Sequence, residues 1–556
     1  GERVWPGFTL GPENQAALVR ICQLVDGLPL ALELAASWLR TLSPGDIAAE
    51  IERSLDFLQA QTQDRPDRHR SLRALLESTW RMLSSQEQET FRRLAVFQDG
   101  FTAEAARRVA GATLPRLSRL VDQSLLWRDS SGRYHRHPLL HRFAWQNLAM
   151  DAALADACRD QHCRYYAALL DELAGQLATS QRVAAVARLE AEIENVRVAW
   201  QWAVARARAD WLDSLAEGYG QYLVDSGLFL EGRAAFVQAN AALQEDEHIS
   251  PVTAARLLTW QAIFERTVGA VQRAEALLRR ALGLLDDPGL ANEDTRRERA
   301  RALEELAAHF LHEKGEYEAA QALYEQALAL YTELADEWGM SAVYNSLGVL
   351  AYYVGDYATA QQRNQESLRL RRKNGQRSGL IRPLQTLGMV AVSQGRFTEG
   401  VGHFQEALAY AREEKHLTHL PWLLADLGYA HLLSGAFDQA QSTLAEGLQM
   451  GQQRQEAQIV SVLDTLLGFV HLHRGAYADA EEQGARGLAT AADKRFRFEH
   501  AFAQLLLGSV ALVEEEWAQA EALFSAAAQT YREIGHVEYL AWALPLLACG
   551  ACKQGQ

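Results

Sequence analysis

The chain has 556 residues, of which 48% are hydrophobic and 23% charged, with only 12 prolines. A chain of this length exceeds a single hydrophobic core, and the composition is that of a folded, almost all-α protein. The net charge of -16 argues against broad contact with nucleic acid or an anionic membrane. No apolar run reaches the roughly 18 residues that cross a bilayer, and five cysteines form no disulfide framework. We therefore expect a cytoplasmic protein.

The first predicted element is a pair of helices joined by a glycine and a proline in 26-DGLPLALELAASWL-39. Apolar residues recur at helical spacing on both sides of this joint. Glycine ends a helix in the left-handed conformation, and proline opens one where its missing N–H costs nothing. Residues 1–75 are predicted to form a helical subdomain, although such a joint fits any helical protein.

Residues 76–150 are predicted to form three helices and a β-wing. Ser84 and Glu87 have the spacing of a capping box at the start of the first helix. After the third helix come two short strands around a Ser-Ser-Gly turn, and then a helix opened by Pro138. This order indicates a winged-helix domain. Its third helix, 115-PRLSRLVDQ-123, has no dense set of base-reading side chains, so direct nucleic-acid binding is not expected.

Residues 151–214 are predicted to be a helical arm between the winged helix and the rest of the chain. Leu189, Ile193, Val196 and Trp200 recur there at helical spacing. The arm is therefore expected to be a structured connection rather than a loose linker.

The strongest signal is an internal repeat of 40 residues. Leu-Gly pairs recur at 347–348, 387–388, 427–428, 467–468 and 507–508. In the first four units a second glycine follows seven residues later, then an aromatic residue and a small residue. Two antiparallel helices need small side chains where they cross and a glycine where the first helix ends. One such pair cannot bury its apolar face, so the pairs are expected to stack into a superhelix.

This frame resembles tetratricopeptide repeats, and we count about eight of them in residues 215–556. The period exceeds the usual 34 residues, which we interpret as longer helices. HEAT repeats share the longer period but not the Leu-Gly frame. The resulting prediction is a mainly α chain: a helical subdomain, a winged helix, a helical arm and a right-handed superhelix.

The resemblance implies that partners bind along the concave face, which the first helix of each pair lines. A groove that mixes aromatic and polar side chains suits a peptide, a folded protein or a partly apolar small ligand. The alternative is that several of these aromatic residues pack between repeats. Counting from the Leu-Gly frame predicts that this face carries Asn345, Tyr352, Arg382, Gln385, Ser393, Trp422, Tyr429, Thr465, Phe469, His473 and Phe502.

The order of the segments resembles a larger family. The chain has a GLPL joint, then a winged helix with FRRLAVFQDGFT and LVDQSLL, then an HPLL strand–helix joint and superhelical repeats. This order is similar to that of the STAND class of signal-transduction NTPases, which includes the NB-ARC proteins. The resemblance covers essentially the whole chain. Each motif alone is weak, and the combination is specific.

That resemblance implies a nucleotide site. In the family the GLPL joint lies over the adenine, and a histidine at the wing-to-helix joint contacts the β-phosphate of ADP. His137 matches the histidine, although Arg136 and Pro138 replace the family's methionine and aspartate. The positions that match the nucleotide-binding motifs are Gly27, Leu28, Pro29, Leu30 and His137.

The catalytic half of such a switch is not recognisable in these residues. The P-loop motif G-x-x-x-x-G-K-[ST] is absent, and no Gly-Lys dipeptide occurs in the chain. The chain is interpreted as a fragment that holds neither ADP nor ATP with Mg²⁺ tightly and is not itself an enzyme. Cys158, His162 and Cys163 lack a fourth partner, and Cys549 and Cys552 lack a second pair, so no metal site is predicted.

The leading hypothesis is the regulatory and inducer-sensing part of a nucleotide-gated STAND switch. The parent protein would be autoinhibited with ADP, released when an inducer binds the repeats, and able to self-associate once active. One alternative is a constitutive interaction scaffold. The other is the sensor half of a transcription regulator whose DNA-binding domain lies outside this chain.

Overall fold

The computed structural model describes residues 11–24, 32, 35–36, 38–40, 42–53, 77, 80–177, 179, 181–244, 249–291, 293–375, 377–414, 419–491 and 496–553. Helices dominate these residues, which contain one two-stranded sheet. The predicted mainly α fold is confirmed. Within the same ranges, no helix combines the length and apolarity that crossing a bilayer requires.

The chain divides into two compact units. The first contains Gly1–Leu170 and Arg188–Leu215, and the second contains Asp171–Ala187 and Ala216–Gln556. The first unit starts with helices α1 (Pro12–Leu24) and α2 (Pro44–Arg53), with a 3-10 turn at Trp38–Arg40 between them. The GLPL joint at positions 27–30 lies outside the described residues.

The predicted helices and wing follow in the first unit. Ser84 accepts a hydrogen bond from the amide of Glu87, whose carboxylate accepts one from the Ser84 amide, so the capping box is confirmed. The strands pair antiparallel, with Trp127 opposite His135. The elements are α3 (Ser85–Arg93), α4 (Ala103–Ala110), α5 (Leu114–Asp122), β1 (Trp127–Arg128), β2 (Tyr134–His135) and α6 (Pro138–Ala149).

Two long helices, α7 (Ala152–Leu177) and α8 (Arg182–Ala205), form the arm. Within the first unit, Asn195 of α8 bonds to the segment between α3 and α4. Its Oδ1 accepts the Gln98 amide at 3.0 Å, and its Nδ2 donates to the Gly100 carbonyl at 3.1 Å. The arm therefore packs against the winged-helix elements through buried hydrogen bonds, as a structured segment should.

The second unit consists of antiparallel helix pairs. The first helix, α9 (Ala209–Asp225), begins in the first unit and enters the second at Ala216. The helices that follow are α10 (Phe229–Ala242), α11 (Pro251–Thr267), α12 (Val271–Leu285), α13 (Arg296–His309), α14 (Tyr317–Glu333), α15 (Glu337–Tyr353), α16 (Tyr357–Lys373), α17 (Ile381–Ser393), α18 (Phe397–Glu413), α19 (Leu420–Leu433), α20 (Phe437–Gln453), α21 (Ala457–His473), α22 (Tyr477–Thr490), α23 (Arg497–Val513), α24 (Trp517–Glu533) and α25 (Val537–Lys553).

The Leu-Gly frame has the predicted physical meaning. Many of these helices are 17 residues long, so the 40-residue period comes from long helices with short turns. The turn glycines adopt the left-handed conformation, with φ of 77° at Gly435. In the last unit Glu515 takes the same conformation, with φ of 66°. At the crossing, a Cβ on Gly388 would lie 2.6 Å from the ring of Phe404, so only glycine fits there.

Candidate ligand-binding sites

The first candidate site is the turn at His137. This residue is the N-cap of α6, and its Nδ1 accepts a hydrogen bond from the Leu139 amide at 3.1 Å. A neutral imidazole that accepts at Nδ1 carries its proton on Nε2. The fold therefore fixes the tautomer of His137 and makes its Nε2, which is buried in this structure, a hydrogen-bond donor.

A small cleft of about 150 Å³ adjoins this turn. Its walls are the end of α1 and the start of α6, with Arg20 and Arg142 among the lining residues and Pro138 beside them. Arg142 also donates to the carbonyl of Ile51 in α2. The helix that precedes the GLPL joint and the turn that holds His137 thus meet at one positively charged cleft. Its volume is too small to enclose a nucleotide, for which sites of about 300 Å³ or more are typical.

The second candidate site is the concave face of the repeats. Polar side chains on consecutive first helices form a ladder along it. Tyr352 and Ser393 share a hydrogen bond of 3.2 Å, and Gln385 donates to Asp426 at 2.6 Å. Each bond joins residues 41 positions apart, so it connects neighbouring repeats. The ladder fixes the register between repeats and accounts for the polar residues predicted on this face.

Four of the predicted concave residues are buried: Tyr352, which is 7% exposed, and three whose contacts are those of helix packing. Asn345 is 6% exposed and bonds to Asn364 of the paired helix at 2.8 Å. Thr465 is fully buried and donates to the Ser461 carbonyl one turn earlier. Phe502 is 3% exposed, with its ring 5.5 Å from that of Phe469. The prediction of ligand contact is corrected for these three, because their side chains point at neighbouring helices.

Apart from Tyr352, the other predicted residues are half-buried or exposed, and most of them lie apart from one another. Trp422 and Phe469 are half-buried against the core of the C-terminal repeats. His473 is exposed and stacks on Phe437 with ring centroids 5.7 Å apart. Arg382 is exposed at the start of α17. The structure therefore brings only Tyr352, Ser393 and Tyr429 into one cleft.

The turn before α25, and α25 itself, cover one side of that cleft. The hydroxyl of Tyr317 donates to the carbonyl of Gly535, 218 residues away, at 2.7 Å. The ring of Tyr353 lies 5.5 Å from that of His536, and Tyr429 lies 6.0 Å from Trp542. The superhelix thus curls until the turn before α25, and α25 itself, contact the repeats that begin at α14.

Between α25 and the repeats lies a cavity of about 510 Å³. One wall consists of side chains of α15, α17 and α19 and of the turns that follow α15 and α17. The other wall consists of Val537, Ala541 and Trp542 of α25. We name this space, with Tyr352, Ser393, Tyr429 and Trp542 at its centre, the aromatic cleft. Its volume lies within the range of pockets for drug-sized ligands.

A cluster of charged side chains lies on first helices nearer the start of the repeats. Arg301 is held over the ring of Trp260, with its guanidinium carbon 4.1 Å from the centroid, and pairs with Glu217. Burial and the neighbouring carboxylate of Glu305 raise the pKa of Glu304 to about 7. Charged side chains and a titratable acid therefore line this stretch, which contrasts with the uncharged aromatic cleft.

Trp542 and the other residues of α25 in the aromatic cleft were not predicted from the sequence. The position of α25 follows from the rotation summed over all the repeats, which no local pattern encodes. A usable signal was nonetheless present, because Val537 and Trp542 are exposed apolar residues on a terminal helix, at 54% and 39% exposure. Terminal repeats usually present a polar outer face, so apolar residues at these two positions indicate a further contact.

Comparison with known proteins supports the repeats. The tetratricopeptide repeat family model matches residues 298–373. A protein of Mycobacterium bovis (strain ATCC BAA-935 / AF2122/97), whose name gives it as a candidate HTH-type transcriptional regulator, is 37% identical over 210 residues. The match covers 36% of this chain and 24% of the relative, so the chain spans about a quarter of that relative's length. A Mycobacterium tuberculosis (H37Rv) protein of the same description matches with the same identity and coverage.

Among solved structures, a STAND protein with a tetratricopeptide repeat sensor from Pyrococcus horikoshii is similar in fold. The TM-score is 0.53 at 15% identity, and the match covers 93% of this chain and 74% of that one. At such an identity the likeness shows the fold alone. The chain is therefore a mainly α protein with tetratricopeptide-like repeats, similar in fold to a STAND protein with a repeat sensor.

Proposed function

We propose that this chain is the regulatory and inducer-sensing part of a nucleotide-gated STAND switch. The observation that carries the proposal is the extent of the fold likeness, which covers 93% of the chain and so includes both the winged-helix elements and the repeats. A repeat array alone would match tetratricopeptide proteins over its own length only.

The residues of the first unit fit the nucleotide end of such a switch. Nε2 of His137 is a donor, and Arg20 and Arg142 add positive charge to the cleft beside it. When bound, ADP supplies phosphate oxygens, which charged donors of this kind bind well. Pro29, which precedes this region in the family's motif order, would cover the base. The chain would bind only part of the nucleotide, and hydrolysis would need the P-loop that its sequence lacks.

The repeats fit the sensing end. An inducer shifts the switch only if it binds one conformation more tightly than the other. The aromatic cleft has walls from distant repeats, so its shape depends on how tightly the superhelix is closed. A ligand that contacts both walls would favour the superhelix conformation in which the two walls lie at the distance that fits the ligand. In the parent protein that change would favour ATP over ADP, free the winged helix and let subunits self-associate.

The output of the switch is proposed to be transcription. The likeness to mycobacterial proteins named as HTH-type regulators favours the sensor half of a transcription regulator over a constitutive scaffold. Its DNA-binding domain would lie outside these residues, because the winged helix carries no base-reading set on α5. The switch and the transcription regulator are compatible, because nucleotide gating would be the mechanism and transcription the output.

The nucleotide end is tested by titrating fluorescent ADP into the full-length parent and its variants. We expect His137→Asn to weaken binding about tenfold or more, since hydrogen bonds to charged groups contribute about 1.5–3 kcal/mol. Pro29→Ala should also weaken binding, because it removes the apolar contact of the proline ring with the base. His137→Asn keeps an N-cap acceptor for α6, so a loss of affinity reports on Nε2. His403→Ala, in α18, is the control. Unchanged affinity in both site variants would contradict the nucleotide assignment.

A further inference from the structure

The aromatic cleft differs in its chemistry from the rest of the concave face. The thirteen residues that line it include no Asp, Glu, Lys, Arg or His. The nearest histidine in sequence, His536, is neutral at physiological pH because burial lowers its pKa to about 4. A charged ligand would lose its hydration in this cleft without gaining a counter-charge, and such a loss is expensive.

The repeat wall is rich in aromatic rings, and the α25 wall adds Trp542 beside two aliphatic residues. Tyr429 lies against Trp542 with centroids 6.0 Å apart, and Tyr352 and Tyr357 lie 5.9 Å apart on the repeat wall. Aromatic rings gain most from other ring systems in stacked or edge-to-face geometry. Tyrosine hydroxyls make the same wall partly polar, and that of Tyr352 shares a hydrogen bond with Ser393. This arrangement suits a flat apolar molecule with a carbonyl or hydroxyl group.

The closure of the superhelix limits what can enter. An extended peptide or a helix needs a long open groove and partners for its backbone amides. Here α25 already lies over the repeats, held by the Tyr317–Gly535 hydrogen bond and the contact of Tyr353 with His536. What remains is a space of about 510 Å³, which matches a small molecule.

We propose that the aromatic cleft binds a neutral, planar, aromatic small molecule between α25 and the repeats. The ligand contacts both walls, so its binding strengthens the closed superhelix. This inference deepens the sensor role proposed above and rests on it for its biological meaning, but the binding itself belongs to this chain alone.

The test uses two fluorescent probes with related ring systems. N-phenyl-1-naphthylamine is neutral, and 8-anilinonaphthalene-1-sulfonate carries an added negative charge. Each is titrated into the 556-residue chain without nucleotide. We expect saturable binding of one neutral probe per chain, and binding of the sulfonate weaker by about tenfold or more, since each tenfold corresponds to about 1.4 kcal/mol.

Two variants locate the probe. Ala541→Phe adds a ring on the α25 wall, and we expect it to weaken the neutral probe by about tenfold. Ala518→Phe makes the same change at an exposed position of α24 outside the cleft and is the matched control. If Ala541→Phe loses its far-UV circular dichroism, Trp542→Leu replaces it, and a loss of affinity of several-fold is then expected.

Three results would overturn the proposal: no saturable binding, equal binding of the two probes, or equal binding by wild type and the cleft variants. Nucleotide gating is measured separately on the full-length parent. If the parent does not bind ADP, the probe titration still decides whether the aromatic cleft binds a ligand. If the probe does not bind, the ADP titration still decides whether the parent binds nucleotide.

Discussion

The Leu-Gly frame makes a sharp prediction about one helix pair. Gly388 of α17 and Gly402 of α18 are both glycines within helices of the same repeat. A Cβ at Gly388 would lie 2.6–2.8 Å from three ring carbons of Phe404, which is 1% exposed. A Cβ at Gly402 would meet no atom within 4 Å. Alanine at these two positions therefore separates helix propensity from packing.

The expected magnitudes follow from two opposing effects. Alanine stabilises a helix interior relative to glycine by about 0.8–1 kcal/mol. Overpacking of a well-packed core costs about 1–3 kcal/mol. Gly402→Ala should therefore stabilise the chain by up to about 1 kcal/mol. Gly388→Ala should destabilise it by up to about 2 kcal/mol, since the clash with Phe404 outweighs the propensity gain.

The assay is urea denaturation followed by far-UV circular dichroism for wild type and both variants. Repeat arrays do not always unfold in one cooperative step, so the transition midpoints are compared rather than extrapolated free energies. A lower midpoint for Gly388→Ala and a higher one for Gly402→Ala are expected. If both substitutions raise the midpoint equally, Gly388 is not the crossing point of the helix pair, and the explanation of the repeat frame is wrong.

Glu515→Gly should stabilise the chain by about 0.5–1 kcal/mol and so raise its denaturation midpoint, because the left-handed conformation costs a residue with a side chain about 1–2 kcal/mol and the entropy cost of ordering glycine offsets part of that gain. Gly435→Ala, at the equivalent turn, should lower the midpoint. The protonated form of Glu304 contributes stability that is complete below its ordinary pKa of 4.5 and is lost as the pH rises through about 7. Glu304→Gln should therefore stabilise the chain by about 1–2 kcal/mol near pH 8 and not near pH 4. The full pKa shift of Glu304 corresponds to about 3 kcal/mol, which solvent screening reduces. Thermal melting at the two pH values measures the difference. Tyr317→Phe removes the 2.7 Å hydrogen bond to Gly535. Because such a bond contributes about 1 kcal/mol, the rate of amide hydrogen exchange in α25 should rise about fivefold. The exchange rate in α11 should not change.

Much of the fold could be predicted because its determinants are local. A capping box, a left-handed glycine and a small residue at a helix crossing each act within one or two helices. Ser84, Gly435 and Gly388 therefore have the roles that their spacing indicated. The repeat period also predicted the length of the helices, because inserted residues in a helix pair must extend either the helices or the turns.

The candidate site could be predicted only in part. Counting along the frame identifies the first helices but not the direction of each side chain, since one residue turns a helix by about 100°. Thr465 is buried for this reason, while Tyr352 and Ser393 line one cleft, where ligand contact stays a prediction. Trp542 completes that cleft from more than 100 residues away, through rotations that accumulate over several repeats.

The central claim is that these residues regulate a nucleotide-gated switch. The most direct measurement is to purify the full-length parent, denature it and identify any released nucleotide by chromatography. We expect stoichiometric ADP in the wild-type protein and its loss in Pro29→Ala and His137→Asn. Absence of nucleotide, with an unchanged monomer when ATP is added, would contradict the switch and leave a repeat scaffold.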